Sequence, residues 1–321
     1  MWAERLIRPS LFETICEKAP DDAQLSDGEV LLRTLAGGIC GSDIPKFRGI
    51  KGDSFSGSDR FELGRPGFPL HEVVGEVVAT RCQRIRVGQR VVGWATTSDG
   101  LREFVITKGD EVAAYGDELS PEDAVLVQSL ACVLYAMKRL PVVNRRVAVL
   151  GLGPIGYLFA HVAKTQGARG VVGIDTVDRS GLAGSFGDVV TCASAEWCRS
   201  LAGEERPDVV IEAIGHQVST LNDAIAAVGV GGTVLYFGIP DDDVYPINME
   251  MVMRKNLTII GGITRERQRS LQEAVDYLRA HPELITVLIT HRFDRSGIQQ
   301  AFDLAASPQL DRMKVTLRLD A

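Results

Sequence analysis

The chain has 321 residues, of which 45% are hydrophobic and 24% charged, and its formal net charge is −7. This length exceeds one ordinary hydrophobic core and predicts two domains. An acidic balance with scattered basic residues argues against binding to nucleic acid or to an anionic membrane surface. No apolar run approaches the ~20 residues of a membrane span, and the charged N-terminus has no apolar core of a secretion signal.

The cysteine pattern indicates free thiols. None of the six cysteines forms a C-x-x-C pair, and a chain of this size without a secretion signal does not need a disulfide framework. They are Cys16, Cys40, Cys82, Cys132, Cys192 and Cys198. We therefore expect a cytoplasmic protein in which a cysteine is available as a metal ligand.

Short strand patterns separated by glycine turns dominate the first third of the chain. Residues 28–35 predict a half-buried strand, and the glycines of 37–43 predict a loop. Residues 49–69 are rich in Gly, Ser, Asp and Pro, which predicts a long surface loop that shapes a substrate pocket. Further strand–turn–strand runs follow over 70–106, so the N-terminal domain is predicted to be mostly β and partly barrel-like.

A change of pattern begins at Ser120-Pro121, where a serine N-cap and a proline predict a helix start. From Val147 onward, strand and helix patterns alternate, which predicts a doubly wound parallel sheet in an α/β domain. The predicted strands are 147–151, 171–175, 188–191, 208–212, 233–238 and 257–261.

The last sixty or so residues predict two helices and two strands. The helices are expected near 268–280 and 295–306, and a strand is expected at 286–291. Residues 314–319 predict a terminal strand that returns to the first domain.

A glycine-rich turn after the first of the alternating strands predicts a dinucleotide site. The run Gly151-Leu152-Gly153-Pro154-Ile155-Gly156 directly follows four apolar residues and precedes a helical pattern. Its three glycines suit a tight turn, close approach to a pyrophosphate, and close helix packing. The candidate cofactor-binding residues are Gly151, Gly153, Pro154, Ile155, Gly156, Asp175, Arg179 and Gly238.

The end of the next strand predicts which cofactor is bound. Asp175 lies 19 residues beyond Gly156, at the place of an acidic residue that hydrogen-bonds the adenosine ribose. Its negative charge disfavours a 2′-phosphate, so NAD is expected over NADP. Arg179 tempers this preference, because a nearby arginine can accommodate that phosphate.

Three side chains of the first domain could form a metal site. Cys40 lies in a glycine-rich segment, and His71-Glu72 begins a strand pattern. Thiolate, imidazole and carboxylate are ligands of catalytic zinc sites that leave one position for substrate. A buried thiol and a core histidine are the alternative interpretation of these residues.

Several further stretches carry a resemblance to a known family. They are Gly28-Glu29-Val30-Leu31-Leu32-Arg33, Gly38-Ile39-Cys40-Gly41-Ser42-Asp43, His71-Glu72-Val73-Val74-Gly75-Glu76-Val77, Val87-Gly88-Gln89-Arg90-Val91, Asp208-Val209-Val210-Ile211-Glu212 and Leu288-Ile289-Thr290-His291-Arg292-Phe293. In this order they resemble the zinc-dependent medium-chain dehydrogenases, and within them the polyol, sugar-alcohol and aminocyclitol branch, which includes sorbitol dehydrogenases. The resemblance extends over nearly the whole length.

The resemblance implies a fold and a set of site residues. A GroES-like, partly open barrel would be formed by residues 1–126 and completed by 263–321, around a Rossmann domain at 127–262. By resemblance, Cys40 and His71 match the catalytic zinc ligands, Glu72 the adjoining carboxylate, and Ser42 the hydroxyl that relays the alcohol proton.

Some positions depart from the family pattern. Leu70 replaces the usual glycine before the His-Glu pair, and Gln128 stands where relatives often carry a glutamate ligand. Gln128 is an additional candidate ligand, but its neutral oxygen holds zinc less strongly than a carboxylate. Pro45 replaces a histidine of the proton relay, and the neighbouring Lys46 is expected to be a solvated surface charge.

One metal ion is expected. Many members of the family that the chain resembles carry a four-cysteine lobe that binds a structural zinc. Here only 13 residues separate Arg90 from Phe104, and none is a cysteine, so we expect one catalytic zinc and no structural zinc.

The motifs and the resemblance together predict an NAD-linked zinc enzyme that oxidises a secondary alcohol of a polyol, sugar or cyclitol. The resemblance also implies a homodimer or homotetramer. Its site is expected in the cleft between the two domains. A zinc-free reductase of an activated carbonyl or double bond, and an inactive NAD-binding protein, are the alternatives.

Overall fold

The computed structural model describes residues 1–50, 63–240, 242–307 and 309–320. The central part of the predicted loop 49–69 lies outside the described residues. The chain divides into two compact units, one formed by Met1–Ala131 with Arg265–Ala321 and the other by Cys132–Thr264. Within the described ranges, no helix is long and apolar enough to cross a membrane.

The first unit is built mainly on antiparallel strands, with a parallel pair at one edge of its main sheet. Its elements up to the junction are β1 (Trp2–Arg8), β2 (Leu11–Cys16), β3 (Glu29–Ile39), α1 (Asp43–Phe47), β4 (Glu72–Thr80), β5 (Arg90–Trp94), β6 (Phe104–Lys108), β7 (Val112–Ala114), α2 (Pro121–Ala124) and α3 (Leu126–Met137). The main sheet also contains β14 (Ile289–Asp294) and β15 (Lys314–Arg318) from the end of the chain. Its order is β14-β15-β3-β4-β5-β7, and β6 also pairs with β3. The predicted mostly β domain is therefore confirmed.

Strand β3 is longer than the sequence predicted, because Gly37 and Gly38 continue it instead of forming a loop. A Cβ added to Gly37 would lie 2.5 Å from Leu70 Cδ2, and one added to Gly38 would collide with Val125 and Glu72. These glycines allow neighbouring segments to approach the strand closely, which is a use of glycine distinct from turning the chain.

The second unit contains a parallel sheet of β8 (Arg146–Leu150), β9 (Gly170–Asp175), β10 (Asp188–Thr191), β11 (Val209–Glu212), β12 (Thr233–Tyr236) and β13 (Thr258–Ile260). Its helices are α4 (Pro154–Thr165), α5 (Ala183–Phe186), α6 (Ser194–Ser200), α7 (Thr220–Ala227) and α8 (Met249–Arg254). The strand order β10-β9-β8-β11-β12-β13 is that of a Rossmann sheet, so the predicted fold class is confirmed. All predicted strands of this sheet are found, with small shifts of their ends.

The chain ends by returning to the first unit through α9 (Arg267–Ala280), α10 (Glu283–Leu288), β14 (Ile289–Asp294), α11 (Ile298–Ala305) and β15 (Lys314–Arg318). The predicted strand at 286–291 is wrong in its first half. Pro282 is the N-cap of α10 and Glu283 occupies its first turn, so Leu288 still belongs to a helix. The predicted terminal strand is confirmed: β15 lies between β14 and β3.

Candidate functional site

The glycine-rich turn has the geometry of a dinucleotide loop. Gly151 has φ +86°, and a Cβ there would lie 2.8 Å from Ile214 Cγ1. A Cβ at Gly156 would collide with the carbonyl oxygen of Gly151, so α4 packs against the strand end only because residue 156 is glycine. Gly153 is the N-cap of α4, and nothing lies within 4 Å of the place of its Cβ. The turn thus leaves its middle glycine open to a ligand at a helix N-terminus.

Asp175 supports this turn from the neighbouring strand. Its Oδ2 accepts a hydrogen bond from the N–H of Leu152 at 2.7 Å, and its Oδ1 accepts one from Val177 at 2.8 Å. The carboxylate is therefore held beside the glycine turn by backbone donors. Arg179, four residues further, is buried with 8% of its surface exposed.

The candidate metal ligands are brought together by the pairing of β3 with β4. Gly38 of β3 lies opposite Glu72 of β4, so Cys40, just beyond β3, lies beside His71, just before β4. One ligand atom each of Cys40, His71 and Glu72 lies within 4.8 Å of the others. A thiolate, an imidazole and a carboxylate at this spacing fit a zinc ion with three protein ligands and an open fourth position.

Asp43 orients two of these ligands. Its Oδ1 lies 2.7 Å from His71 Nδ1, and its Oδ2 accepts a hydrogen bond from the backbone N–H of Cys40 at 2.9 Å. A carboxylate partner assigns the proton to Nδ1 and leaves Nε2 free to bind a metal. Burial opposes protonation of His71, but Asp43 and Cys40 outweigh it and raise the pKa of His71 to about 10. A metal ion at Nε2 would take the place of that second proton.

Glu72 is also paired with a buried cation. Its Oε2 lies 2.5 Å from Lys314 Nζ, and its Oε1 accepts a hydrogen bond from the Ser129 hydroxyl at 3.1 Å. The side chains of Glu72 and Lys314 are 1% and 3% exposed. Burial lowers the pKa of Lys314, but Glu72, Cys40 and Asp43 outweigh burial and raise it. Lys314 is thus a fixed positive charge behind the three candidate ligands.

Sequence reasoning missed Lys314, Ser129 and the role of Asp43. Lys314 begins β15 and Ser129 lies in α3, so each reaches Glu72 only through the folded sheet and the helix packed on it. No spacing along the chain links these residues. Asp43 lies three residues after Cys40, so its proximity to the candidate ligands was visible in the sequence.

Some predicted positions differ from expectation or remain predictions. Lys46 is wrong as a solvated surface charge, because it is 6% exposed and its Nζ lies 3.4 Å from Ser98 Oγ. Ser42 occupies the N-cap of α1 without capping it through its side chain. Gln128 is buried beside Ser129 in α3, and its role as a ligand stays a prediction.

Two family models match the chain. The model described as alcohol dehydrogenase GroES-like domain matches residues 26–116, and the model described as zinc-binding dehydrogenase matches residues 154–280. The first range contains Cys40, His71 and Glu72, and the second begins at Pro154 in the glycine turn. The chain therefore belongs to the zinc-type medium-chain dehydrogenases, enzymes that act on CH–OH groups and use zinc and NAD(P).

Individual relatives agree with this assignment. An L-threonine 3-dehydrogenase of Legionella pneumophila is 27% identical over 88% of this chain and 90% of the relative. A sorbitol dehydrogenase of Bombyx mori is also 27% identical, with the same two coverages. The solved structure of galactitol-1-phosphate dehydrogenase from Escherichia coli matches with a TM-score of 0.81 and 21% identity, covering 99% of this chain and all of that one. The structural match concerns the fold.

Proposed function

We propose that this protein is a zinc-dependent dehydrogenase that transfers a hydride between NAD and a secondary alcohol or ketone of a polyol, sugar or cyclitol. The observation that carries the proposal is the cluster of Cys40, His71 and Glu72, with Asp43 behind the histidine. Such a cluster combines a ligand set for catalytic zinc with a carboxylate that fixes the histidine tautomer.

The zinc would be held by Cys40, His71 and Glu72, with Gln128 as a further candidate ligand. A zinc ion there supplies a Lewis acid for the oxygen of an alcohol or a ketone. Asp43 keeps the His71 proton on Nδ1, and Lys314 balances the negative charge of Glu72. We assign to Ser42 a hydrogen bond to the substrate oxygen, through which the alcohol proton leaves toward solvent. The overall reaction would convert the alcohol and NAD to the ketone, NADH and that proton.

The cofactor is proposed to be NAD, because Asp175 places a fixed negative charge where NADP would carry its 2′-phosphate. Its two oxygens accept hydrogen bonds from Leu152 and Val177, so the carboxylate is held in place before the cofactor binds. Arg179 is assigned to stacking or ion pairing near the adenosine. The pyrophosphate is assigned to the N-terminus of α4, at Gly151, Gly153, Pro154, Ile155 and Gly156, and Gly238 to the nicotinamide side.

The substrate class is inferred from the names of the relatives. They include a sorbitol dehydrogenase and a D-xylulose reductase, the latter from Saccharomyces cerevisiae and 25% identical over 92% of this chain. L-Threonine 3-dehydrogenases are among the other relatives, so amino alcohols belong in the same screen. All of these substrates present a secondary alcohol beside a second polar group.

The decisive experiment combines metal analysis with a substrate screen. Purified protein should contain about one zinc per chain and oxidise a member of a polyol, cyclitol and amino-alcohol panel with NAD faster than with NADP. Cys40→Ala should abolish turnover and lower the zinc content while leaving NADH binding intact. Cys16→Ala is the matched control, because Cys16 is an exposed free cysteine on β2. Full activity of Cys40→Ala would overturn the zinc mechanism.

The two alternatives give other results in the same experiment. A zinc-free reductase would act on activated carbonyls or double bonds without bound metal, and an inactive protein would bind NADH without turnover. The match to the zinc-binding dehydrogenase model disfavours both.

We further propose a cytoplasmic homo-oligomer whose two compact units are the catalytic and NAD-binding domains. Strand β13 ends the parallel sheet, and Ile259 on it and Met253 of α8 are 37% and 69% exposed. A second copy that pairs with this edge would cover these apolar side chains. Sedimentation equilibrium of the wild-type protein and of Ile259→Lys tests this proposal. The wild type should be an oligomer and the lysine variant should dissociate, whereas a monomeric wild type would overturn the proposed assembly.

A further inference from the structure

A buried carboxyl at the carboxyl end of a central strand of the parallel sheet takes no part in the proposed reaction. Glu212 is the last residue of β11 and is fully buried. It lies between Leu150 of β8 and Tyr236 of β12 in the strand register. Burial raises the pKa of its carboxyl, and the groups that oppose this rise are the backbone N–H groups of Gly215, Ile214 and Gly238 and the hydroxyl of Thr220. The groups facing this acid are thus mostly backbone donors.

The Glu212 carboxyl organises the loop that follows its own strand, which we call loop A (residues 213–216). Its Oε1 accepts hydrogen bonds from the N–H groups of Ile214 at 3.1 Å and Gly215 at 3.0 Å. Gly215 has φ +62° and His216 φ +55°, so loop A turns sharply over the carboxyl. A sharp turn of this kind leaves backbone donors without regular partners, and Glu212 accepts two of them.

The same residue contacts the loop after β12, which we call loop B (residues 237–240). The backbone oxygen of Glu212 accepts hydrogen bonds from Phe237 at 2.9 Å and Gly238 at 3.1 Å. A Cβ at Gly238 would lie 2.5 Å from Glu212 Oε2 and would collide with Gly215. The N–H of His216 also donates to the carbonyl of Ile239 at 2.8 Å. Loops A and B are therefore joined to each other above Glu212.

The position of these loops in the sheet determines which part of a dinucleotide they face. The strand order reverses between β8 and β11, and ligands of such sheets bind at this switch point, beyond the carboxyl ends of the strands. Asp175 and the glycine turn lie on the β8–β9 side and serve the adenosine half. Loops A and B follow β11 and β12, which belong to the other mononucleotide-binding half of the fold.

We propose that Glu212 is a positioning residue for the nicotinamide half of the cofactor, because its carboxyl holds loops A and B in the arrangement that receives the ring. This inference rests on the proposed NAD cofactor and extends it to a residue that does not touch the reacting atoms. Glu212 acts through the backbone of Gly215 and Gly238.

The test compares two ligands that differ by the nicotinamide ring, because ADP-ribose keeps both riboses and the pyrophosphate. NADH binding is measured by fluorescence and ADP-ribose binding by calorimetry, both on the full chain. Glu212→Val leaves the Ile214 and Gly215 donors without an acceptor, so the Kd for NADH should rise about tenfold or more while that for ADP-ribose stays within about twofold. Glu212→Gln keeps an acceptor oxygen and should restore NADH binding to within about threefold of wild type.

A second variant tests the same point without removing the buried acid. Gly238→Ala places a methyl group between loop B, Gly215 and Glu212, so it should show the same selective loss of NADH affinity. Gly170→Ala is the matched control, since nothing lies within 4 Å of a Cβ at this position of β9. Both ligands should bind this control as they bind wild type.

Other outcomes overturn specific statements. Equal weakening of NADH and ADP-ribose in Glu212→Val, or no change for either, overturns the positioning role while leaving the NAD cofactor in place. A wild-type protein that binds neither ligand overturns the proposed cofactor and, with it, the inference.

Discussion

The two halves of the proposed site are encoded in different ways. The nucleotide-binding half is a continuous stretch in which β8, the glycine turn, α4 and β9 run from Arg146 to Asp175. Most contacts that shape the turn lie within this stretch, and loop A, which follows the neighbouring strand β11, supplies the others. The metal-binding half is assembled from segments at Cys40, His71, Ser129 and Lys314 that are far apart along the chain.

The physical interactions differ as well. The glycine turn offers backbone N–H groups and open space, so its affinity for a pyrophosphate depends on main-chain geometry. The metal cluster depends on charged side chains, of which Glu72 and Lys314 are almost fully buried. A buried ion pair is strongly sensitive to the loss of one partner, whereas a backbone turn tolerates most side-chain changes nearby. The two halves should therefore respond separately to perturbation.

The largest effect is expected from metal removal. Treatment with dipicolinate should lower kcat by about 10³-fold or more, because the Lewis acid accounts for several kcal/mol of transition-state stabilisation. The Kd for NADH, measured by fluorescence, should change by less than about twofold, since the glycine turn contains no metal ligand. Added zinc should restore turnover. Joint loss of turnover and NADH binding would show that the halves are coupled.

The next effect concerns the buried pair of Lys314 and Glu72. In metal-free protein, Lys314→Met should lower the free energy of unfolding by about 3–5 kcal/mol, because it leaves Glu72 as a buried charge without its cation. Denaturant unfolding measures this loss. The control is Arg254→Met, which breaks a pair with Glu250 whose side chains are 73% and 68% exposed and should change stability by less than about 1 kcal/mol. Similar losses of stability in both variants would contradict the distinction between the buried and the exposed ion pair.

The difference between the halves explains what the sequence could predict. The Rossmann order and the glycine turn follow from local patterns, since apolar runs of four to six residues, glycines at fixed offsets and Asp175 all lie within one stretch. The residue types of Cys40 and His71 suggested a metal site, but a buried thiol and a core histidine were the alternative, and only the resemblance to a family favoured the metal site. Their proximity results from the register of β3 on β4.

The sequence did not predict contacts between side chains that are far apart along the chain. The sequence around Lys314 predicts an ordinary terminal strand, and the sequence around Lys46 predicts a surface charge. Both lysines are buried in the folded protein. Burial of a lysine is decided by tertiary packing, which single-residue patterns do not encode. Gly37 and Gly38 were misread for a related reason, because their neighbours Leu70, Val125 and Glu72 come from other segments.

A smaller effect is expected from changing Asp43, the partner of the proposed ligand His71. Asp43→Asn keeps the shape of the side chain but removes the negative charge that fixes the His71 proton, so zinc affinity should fall about 10- to 100-fold. Competition with a chromophoric chelator measures this change. The control Asp110→Asn removes an exposed carboxylate elsewhere in the same unit and should leave zinc affinity unchanged. Unchanged affinity in Asp43→Asn would mean that His71 binds metal without this partner.

The smallest effect should separate two roles of Asp175 in the nucleotide half. If its charge excludes the 2′-phosphate, then Asp175→Asn and Asp175→Ala should both move the ratio of kcat/KM for NAD and NADP toward NADP, by about tenfold. If its main role is to hold Leu152 and Val177, Asn should keep only one of the two hydrogen bonds, because its amide oxygen still accepts a backbone N–H but its NH2 group cannot. Binding of both cofactors should then weaken in Asn and weaken further in Ala, with little change in the ratio. We expect the ratio to move toward NADP in both variants, and the affinity for both cofactors to fall modestly in Asp175→Ala. The reason is that one carboxylate both repels the 2′-phosphate and holds the backbone of the turn. A ratio unchanged in both variants would place the discrimination at another residue, and Arg179, buried four positions further on, would be the next to change.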